Sequence, residues 1–245
     1  MSDLMDLPKM KGIFVTGTDT GVGKTLVAGG IARVLRDGGK RVGVFKPVSS
    51  GCSHEYEGLV NADAEFLRMC SHCDFSLGDI NPVGYVAAAA PAVCEEFERR
   101  VVDFGLIEAC YKKISAVSDI MVVEGIGGVR VPVSRGVDVL DLAKEFDLPV
   151  VVVSRCGLGT INHTLLTFDA IRGAGLKIAG VVLSGYDVES AGLAQESLHG
   201  VLEEWGGVDV LSTVPLDDES DVEQGRLGEV VVETLAEVDW ESLCG

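Results

Sequence analysis

The sequence predicts an α/β protein with a mostly parallel central sheet and helices on both faces. Short apolar runs typical of buried strands alternate along the 245 residues with segments that have helical periodicity. Strands joined by helices favour parallel pairing, because each crossover closes right-handedly. The second observation is a glycine-rich turn between the first strand and the first helix. Since no linker or internal repeat interrupts the alternation, we expect a single domain over residues 1–245.

The glycine-rich turn reads Gly17-Thr-Asp-Thr-Gly-Val-Gly-Lys-Thr25, after the apolar run 12–16 and before a predicted helix over 26–36. Gly-Lys-Thr between a strand and a helix is typical of a phosphate-binding loop. Backbone N–H groups and the positive end of the helix would face phosphate oxygens. We expect Lys24 at the β- and γ-phosphates and the Thr25 hydroxyl at Mg²⁺. The predicted fold is therefore P-loop NTPase-like.

The later elements continue the alternation. Predicted strands cover 41–46, 119–124, 148–154, 178–183 and 208–214, and predicted helices cover 61–70, 104–117, 137–146, 160–174 and 190–205. Residues 81–91 are expected to be a proline- and alanine-rich connection. Residues 1–10 form an N-terminal extension, and 218–245 form an acidic tail whose stretch 227–238 is expected to be helical. The alternative for that tail is a solvated face with no catalytic role.

Composition and charge limit the possible partners. The net charge of −18 argues against nucleic acid, because phosphate binding over a broad surface needs a basic patch. The longest apolar runs are strands, which argues against a membrane, and the first eleven residues lack the pattern of a secretory signal. We therefore expect a cytoplasmic protein. The seven cysteines are expected to be free thiols, although Cys70-Ser-His-Cys73 leaves a metal site as an alternative.

Three charged residues stand near the expected site, at the carboxyl ends of the strands. Glu124 ends an apolar run and precedes Gly125-Ile-Gly-Gly128, so it could bind Mg²⁺ directly or through water; its alternative role is to cap that turn. Lys46 follows the second strand and could neutralise charge on transferring phosphate. Asp63 is equally well explained as a charge at a helix N-terminus.

Six motifs follow one another along the chain. They are Gly17-Thr-Asp-Thr-Gly-Val-Gly-Lys-Thr25, Lys46-Pro-Val-Ser-Ser-Gly51, Asn61-Ala-Asp63, Asn81-Pro82, Val123-Glu-Gly-Ile-Gly-Gly128 and Gly157-Leu-Gly-Thr-Ile-Asn-His163. Together they resemble the dethiobiotin synthetase family, over residues 11–217. The resemblance implies a ligase of biotin biosynthesis that uses ATP and Mg²⁺ to close a ring from 7,8-diaminopelargonic acid and CO₂. It also implies an N7-carbamate, a carbamic-phosphoric anhydride, and release of ADP and phosphate.

The resemblance further implies roles for single residues. The Mg²⁺ ligands would be Thr25, Asp63 and Glu124. The catalytic residues would be Lys24, Lys46, Thr20 and Ser50, of which Thr20, Lys46 and Ser50 would also contact the substrate. The nucleotide would be bound by Thr20, Gly21, Val22, Gly23, Lys24, Thr25, Glu124, Gly127, Ser184, Pro215 and Leu216. The substrate carboxylate would be bound by Leu158, Gly159, Thr160 and Asn162 of the other subunit of a homodimer.

Two positions depart from the family pattern. The family commonly has Asn, which reads adenine, where this chain has Ser184, and a hydroxyl cannot copy the paired donor and acceptor of an amide. Our hypothesis is that base selectivity is relaxed, or that the backbone near 214–216 replaces the amide. Gly21 stands where some members have glutamate, which removes one polar contact and leaves the backbone of the loop unchanged.

The main alternative is a partitioning or site-selection switch ATPase of the same broad fold, like MinD. Such proteins characteristically place a second lysine five residues before Lys24, where this chain has Asp19. They also tend to have a basic surface or a membrane-targeting tail, whereas this tail is acidic. A binding module without catalysis would need Lys24 and Thr25, but not the set of Lys46 and the two carboxylates. His163 begins a predicted helix, where a structural role is favoured over that of a base.

Overall fold

A computed structural model of the protein describes residues 4–56 and 58–245, so residues 1–3 of the predicted N-terminal extension and position 57 lie outside the described residues. The strands are β1 (Gly12–Gly17), β2 (Val42–Phe45), β3 (Val48–Ser49), β4 (Ser53–Glu55), β5 (Gly58–Val60), β6 (Val83–Gly84), β7 (Ile120–Gly128), β8 (Pro132–Ser134), β9 (Val137–Asp138), β10 (Val150–Arg155), β11 (Ile178–Tyr186) and β12 (Val210–Pro215). The helices are α1 (Lys24–Asp37), α2 (Ala62–Ser71), α3 (Leu77–Ile80), α4 (Pro91–Glu98), α5 (Phe104–Ser115), α6 (Val139–Phe146), α7 (Thr160–Gly173), α8 (Leu193–Glu196), α9 (Leu198–Gly206), α10 (Glu229–Ala236) and α11 (Trp240–Leu243).

The central sheet has six strands in the order β12-β11-β10-β1-β7-β2, and all its pairings are parallel. From β1 the chain crosses through α1 towards β2, and later it crosses from β10 to β11 through α7 in the opposite direction. Right-handed crossovers in opposite directions place α1 and α7 on opposite faces of the sheet. The predicted fold class is confirmed.

The order of the strands changes direction at β1, and the glycine-rich turn follows that strand. In open parallel sheets this switch point is where the ligand crevice forms. β7 lies between β1 and β2, although it comes after both in the chain. The loops and strand ends that carry the phosphate-binding loop, Lys46 and Glu124 are therefore neighbours at one rim.

An aromatic cluster fixes these strands to the helices beneath them. The rings of Phe45 and Tyr111 lie 5.6 Å apart, and those of Tyr111 and Phe146 lie 5.1 Å apart, both edge to face. Phe14 of β1 stacks on Phe146 of α6 at 6.0 Å. All four side chains are buried, and such pairs contribute about 0.5–1.5 kcal/mol each beyond their burial. The rim therefore stands on a rigid base.

Several predicted boundaries were wrong. β7 does not end at Glu124 but continues to Gly128, after a register shift against β1. The predicted helix over 137–146 begins at Val139, because residues 137–138 pair as β9 and Asp138 caps α6. The predicted helix over 190–205 is two helices, α8 and α9. The connection 81–91 contains β6, which pairs with β3.

α4 was missing from the prediction. Its first residue is Pro91, which suits the first turn of a helix. Val93 and Phe97 are exposed on one face while Cys94 is buried on the other, so the usual pattern of buried apolar positions is absent. The helix is also only eight residues long, which leaves little room for a repeating pattern in the sequence.

The acidic tail packs against the domain. Val231 and Leu235 of α10 are fully buried, and Leu235 occupies the space that a side chain at Gly30 of α1 would need. The Trp240 indole N–H donates to the Leu235 carbonyl at 2.7 Å. The expected helix in this stretch is present as α10, with its apolar side packed on α1 and its acidic residues Glu229 and Glu233 exposed.

The cysteines Cys70 and Cys73 are free thiols in the structure. Burial raises the pKa of the Cys70 thiol to about 12, so it stays protonated at neutral pH. Within residues 4–56 and 58–245, no group of three histidine, cysteine or acidic side chains is placed to bind a metal. The described helices include none with the length and apolar character that a membrane crossing needs.

We predict that Leu235→Ala lowers the free energy of unfolding by about 2–5 kcal/mol, because it opens a cavity between α10 and α1. Val230→Ala on the same helix is the control, since Val230 is 44% exposed and Leu235 is fully buried. Its expected effect is within about 0.5 kcal/mol. Urea denaturation measures both changes. Equal effects would contradict the packing of α10.

Candidate active site

One cleft at the rim of the sheet brings four segments of the chain together. They are the phosphate-binding loop after β1, the end of β2, the start of α2 and the middle of β7. The cleft has a volume of about 780 Å³. Its lining includes the predicted residues Thr20, Gly21, Gly23, Lys24, Thr25, Lys46, Ser50, Asp63, Glu124 and Gly127. The sequence therefore identified much of this surface.

The phosphate-binding loop has the backbone that its glycines allow. Gly21 and Gly23 have φ values of 71° and 90°, a region that other residues rarely adopt. Gly23 precedes the first residue of α1, and the first turn of that helix contains no acidic residue. The positive end of α1 is thus not neutralised from within the helix and suits an anion.

Lys24 is turned towards the same loop. Its ammonium donates to the backbone carbonyl of Asp19 at 2.8 Å. Burial lowers the pKa of Lys24, and nearby Glu124 acts against that effect. Lys24 is the first residue of α1, so its charge would stabilise a phosphate bound at the N-terminus of that helix.

A buried lysine lies between two carboxylates on the other side of the cleft. The Lys46 ammonium is 2.6 Å from Oε1 of Glu124 and 2.8 Å from Oδ2 of Asp63. It also donates to the Gly125 carbonyl at 3.2 Å. The Thr25 hydroxyl donates to the same Glu124 oxygen at 2.9 Å. The structure thus brings Lys46, Asp63, Glu124 and Thr25 into direct contact.

These contacts shift the pKa values of Lys46, Asp63 and Glu124. Burial by itself lowers the pKa of Lys46, but Glu124 and Asp63 outweigh it and raise the pKa. Burial likewise acts to raise the pKa of Asp63, but Lys46 outweighs it and the pKa is lowered. For Glu124, burial and the nearby Asp63 charge raise the pKa more than Lys46 lowers it. Lys24 also acts to lower the pKa of both carboxylates, yet at Glu124 the effect of burial is still larger. An additional cation beside Glu124 would therefore be favourable.

The same residues fit a magnesium ion. Oε2 of Glu124 is buried and has no hydrogen-bond partner among the described residues, which is unusual for a carboxylate oxygen. The Thr25 hydroxyl contacts the other oxygen of the same carboxylate, and Asp63 contacts the same lysine as Glu124. Mg²⁺ prefers such oxygen ligands. A cation bound there would satisfy the unpaired oxygen.

Asp63 is positioned by a helix cap. The Asn61 side chain accepts from the Asp63 backbone N–H at 3.1 Å, so α2 begins with Asp63 in its first turn. The Asn61 amide also reaches the Ser50 carbonyl at 3.5 Å. This cap explains the spacing of the Asn61-Ala-Asp63 motif and links it to the Lys46–Gly51 segment.

The end of the cleft away from α1 is less charged. Ser49, Ser50, Gly51, Ala88, Ala89, Ala90, Ile126 and Val131 line it. Thr20 is exposed at the boundary of the two ends, and its hydroxyl lies 3.3 Å from where a side chain at Gly127 would begin. This end suits a partly aliphatic molecule, whereas the end at α1 suits phosphates.

Some predicted nucleotide residues do not line the cleft. The Val22 side chain is buried beneath the loop, so only its backbone faces a ligand. Ser184 packs under the loop, with its hydroxyl 2.4 Å from where a side chain at Gly23 would begin. Pro215 ends the neighbouring strand β12 and Leu216 is exposed beyond it.

The predicted substrate loop 158–162 also lies outside the cleft of its own chain. Leu158 is 87% exposed and Asn162 is exposed as well. The Thr160 side chain is buried, and its hydroxyl donates to the Arg155 carbonyl at 2.6 Å. The Thr160 backbone is also bonded, since its N–H donates to the Gly157 carbonyl at 3.2 Å and its carbonyl accepts from the Thr164 hydroxyl at 2.7 Å. Thr160 therefore stabilises the start of α7.

Other lining residues were missed by the sequence analysis. Leu26 follows the phosphate-binding loop, while Val222 and Glu223 come from the acidic tail. A short bridge between Asp221 and Arg226 folds the tail back, so that its tip reaches the cleft. Opposite charges on either side of Gln224-Gly225 were the available signal for this turn.

The fold and the phosphate-binding loop define a P-loop nucleotide-binding protein. Its cleft also contains a second charged cluster, formed by Lys46, Asp63 and Glu124. A family model described as an AAA domain matches residues 11–224. An ATP-dependent dethiobiotin synthetase BioD of Bacillus licheniformis is 39% identical over 214 residues, which cover 86% of this chain and 88% of the relative. That of Methanococcus vannielii is 36% identical over 203 residues, with 82% and 92% covered. The chain belongs to the ATP-dependent dethiobiotin synthetase family, as the motifs predicted.

Solved structures of switch ATPases share the fold at low identity. The MinC:MinD cell division complex of Aquifex aeolicus gives a TM-score of 0.58 at 12% identity, with 93% of this chain and 95% of that chain covered. A ParA family ATPase of Chlorobium tepidum gives 0.56 at 12%, with 95% and 99% covered. This likeness shows the fold alone.

We predict that Lys46→Met lowers the melting temperature in EDTA, because the buried Glu124 and the partly exposed Asp63 lose their counter-charge. Removing one partner of a buried ion pair typically costs about 3–5 kcal/mol. Adding Mg²⁺ should raise the melting temperature of this variant more than that of the wild type, because the cation replaces the missing charge. Differential scanning calorimetry measures both effects.

Lys113→Met is the matched control, since the Lys113 side chain is 58% exposed and pairs only with Asp79 among the ion pairs of the described residues. Exposed pairs contribute little, so this variant should respond to Mg²⁺ as the wild type does. An equal response of both variants would show that Lys46 does not balance the carboxylates.

Proposed function

We propose that the protein catalyses the ATP- and Mg²⁺-dependent ring closure of 7,8-diaminopelargonic acid with CO₂ to dethiobiotin. One observation carries the proposal: the phosphate-binding loop and the Lys46–Asp63–Glu124 cluster face the same cleft. A phosphate-binding loop by itself supports only nucleotide binding. A buried lysine beside it can stabilise a second anion, and the less charged end has room for an aliphatic diamine.

In the first step the neutral N7 amine attacks CO₂ and loses a proton, which gives a carbamate. A carbamate oxygen then attacks the γ-phosphorus, the bond to the β-phosphate breaks, and ADP leaves. The second amine attacks the carbonyl carbon of the mixed anhydride, the cyclic urea forms, and phosphate departs with the carbamate oxygen. Each step needs positioning and charge neutralisation rather than a nucleophilic side chain.

The chain's own residues divide these tasks. Lys24 and the backbone of 20–25 would bind the β- and γ-phosphates at the helix N-terminus. Lys46 would stabilise the carbamate and the transferring phosphoryl group, and Thr20 and Ser50 would orient the amines. Thr25, Asp63 and Glu124 would bind Mg²⁺, which neutralises charge on the phosphate oxygens.

We further propose a homodimer in which 158–162 of one subunit binds the substrate carboxylate of the other. The exposed Leu158 and the lack of an acidic residue in the first turn of α7 support this arrangement, because a helix N-terminus suits a carboxylate. We also propose that residues 1–245 form one domain and that the protein acts in the cytoplasm.

A direct assay tests the proposal. The enzyme is incubated with the diamine, bicarbonate and MgATP, and dethiobiotin and ADP are measured by mass spectrometry. We expect equal amounts of both products and little ADP without the diamine. Release of phosphate that does not depend on the diamine would instead favour a switch ATPase.

We predict that Lys46→Ala lowers kcat by about a hundredfold or more but weakens MgATP binding far less. The reason is that Lys46 faces the carboxylates and the substrate end, whereas Lys24 lies at the phosphate loop. Steady-state kinetics and calorimetric titration with MgATP measure the two quantities, at a temperature where the variant is folded. Lys113→Ala should leave both unchanged. Equal losses in both would assign Lys46 to the nucleotide alone.

We predict relaxed base selectivity from Ser184, with kcat/KM for GTP and CTP comparable to that for ATP. The serine hydroxyl packs under Gly23 and cannot present the donor and acceptor of an amide to a base. Ser184→Asn should raise the preference for ATP. A hundredfold preference of the wild type for ATP would refute the hypothesis and favour base recognition by the backbone of 214–216.

A further inference from the structure

Lys46 lies just beyond the central sheet. β2 ends at Phe45, whose partner on β7 is Val123, and no ladder pairing extends to Lys46 among the described strand residues. Outside the ladder, the position of a side chain depends on how firmly the neighbouring peptide groups are held. Other contacts must therefore fix the position of the Lys46 side chain.

Two consecutive residues at the end of α3 supply them. The Lys46 backbone N–H donates to the Ile80 carbonyl at 2.8 Å. The Asn81 side-chain amide donates to the Lys46 carbonyl at 2.7 Å. The N–H and the carbonyl of Lys46 are thus both bound by the 80–81 segment, and this fixes the direction in which the side chain leaves the backbone.

The same amide orients a second residue of the cleft. Ser49 donates its hydroxyl proton to the Asn81 side-chain oxygen at 2.6 Å. Because that proton is used, the Cys52 thiol, 3.1 Å from the Ser49 oxygen, acts as a donor to it. A hydroxyl oxygen has two lone pairs, so one remains for a donor such as an ammonium. Asn81 itself is 6% exposed and does not line the cleft.

We propose that Asn81 is a positioning residue, which aims Lys46 at the reacting anion and sets Ser49 as an acceptor at the diamine end. This inference rests on the proposed function. Only an amide on a short side chain offers both a donor for Lys46 and an acceptor for Ser49 from one planar group. The role also accounts for the Asn81-Pro82 motif, because the proline ends α3 and turns the chain into β6.

The test compares Asn81→Ala with Ser49→Ala, which keeps the bond from Asn81 to Lys46. We expect Asn81→Ala to lower kcat about ten- to a hundredfold, since small misplacements of a catalytic group have such effects. MgATP affinity without diamine should change by less than about twofold. Ser49→Ala should lower kcat less and mainly raise KM for the diamine. Leu235→Ala serves as a destabilised control, whose kcat should equal that of the wild type where it is folded.

A wild-type kcat in Asn81→Ala would overturn the proposal, as would equal losses in kcat and MgATP affinity. A readout without turnover separates this proposal from the proposed function. If Lys46 is less well placed between the carboxylates, Mg²⁺ should raise the melting temperature of Asn81→Ala more than that of the wild type. An unchanged Mg²⁺ response would count against the positioning role even if the enzyme made no dethiobiotin.

Discussion

The site depends on a buried lysine that two carboxylates share. Lys46, with 3% of its side chain exposed, would be costly to bury charged without the oxygens of Glu124 and Asp63. The pair Lys46–Glu124 is fully desolvated, so its geometry has to be accurate for the attraction to offset the cost of burial. The unpaired oxygen of Glu124 leaves this balance incomplete and favours a divalent cation. Charge balance at this point thus links Lys46, Asp63 and Glu124.

Topology brings these charges together. Thr25 follows β1, Lys46 follows β2 and Glu124 lies on β7, and the sheet places β7 between the other two. The nine-residue strand β7 carries Glu124 opposite Val15, below the turn of the loop, and continues to Gly128. The end of β7 lies beside the loop, since a side chain added at Gly128 would be in ordinary contact with the Thr18 carbonyl, at 3.4 Å. The phosphate-binding loop and the carboxylate are therefore packed as one unit.

Local patterns were sufficient to predict the parallel sheet and the phosphate-binding loop, because each has a spacing that the chain displays over a few residues. They were insufficient for contacts that depend on packing between distant parts of the chain. Glu223 reaches the cleft only because α10 docks on α1 and the tail folds back. The contact of Asn81 with Lys46 goes together with the pairing of β3 and β6, which joins distant parts of the chain. The burial of the Thr160 hydroxyl likewise depends on contacts that no spacing shows.

The central claim is that a carbamate oxygen, rather than water, attacks the γ-phosphate in this cleft. A single-turnover reaction started from ¹⁸O-labelled CO₂ in unlabelled water tests it, with phosphate and dethiobiotin analysed by mass spectrometry. The mechanism predicts one labelled oxygen in the released phosphate and one in the ring carbonyl. Unlabelled phosphate formed together with labelled dethiobiotin would contradict it.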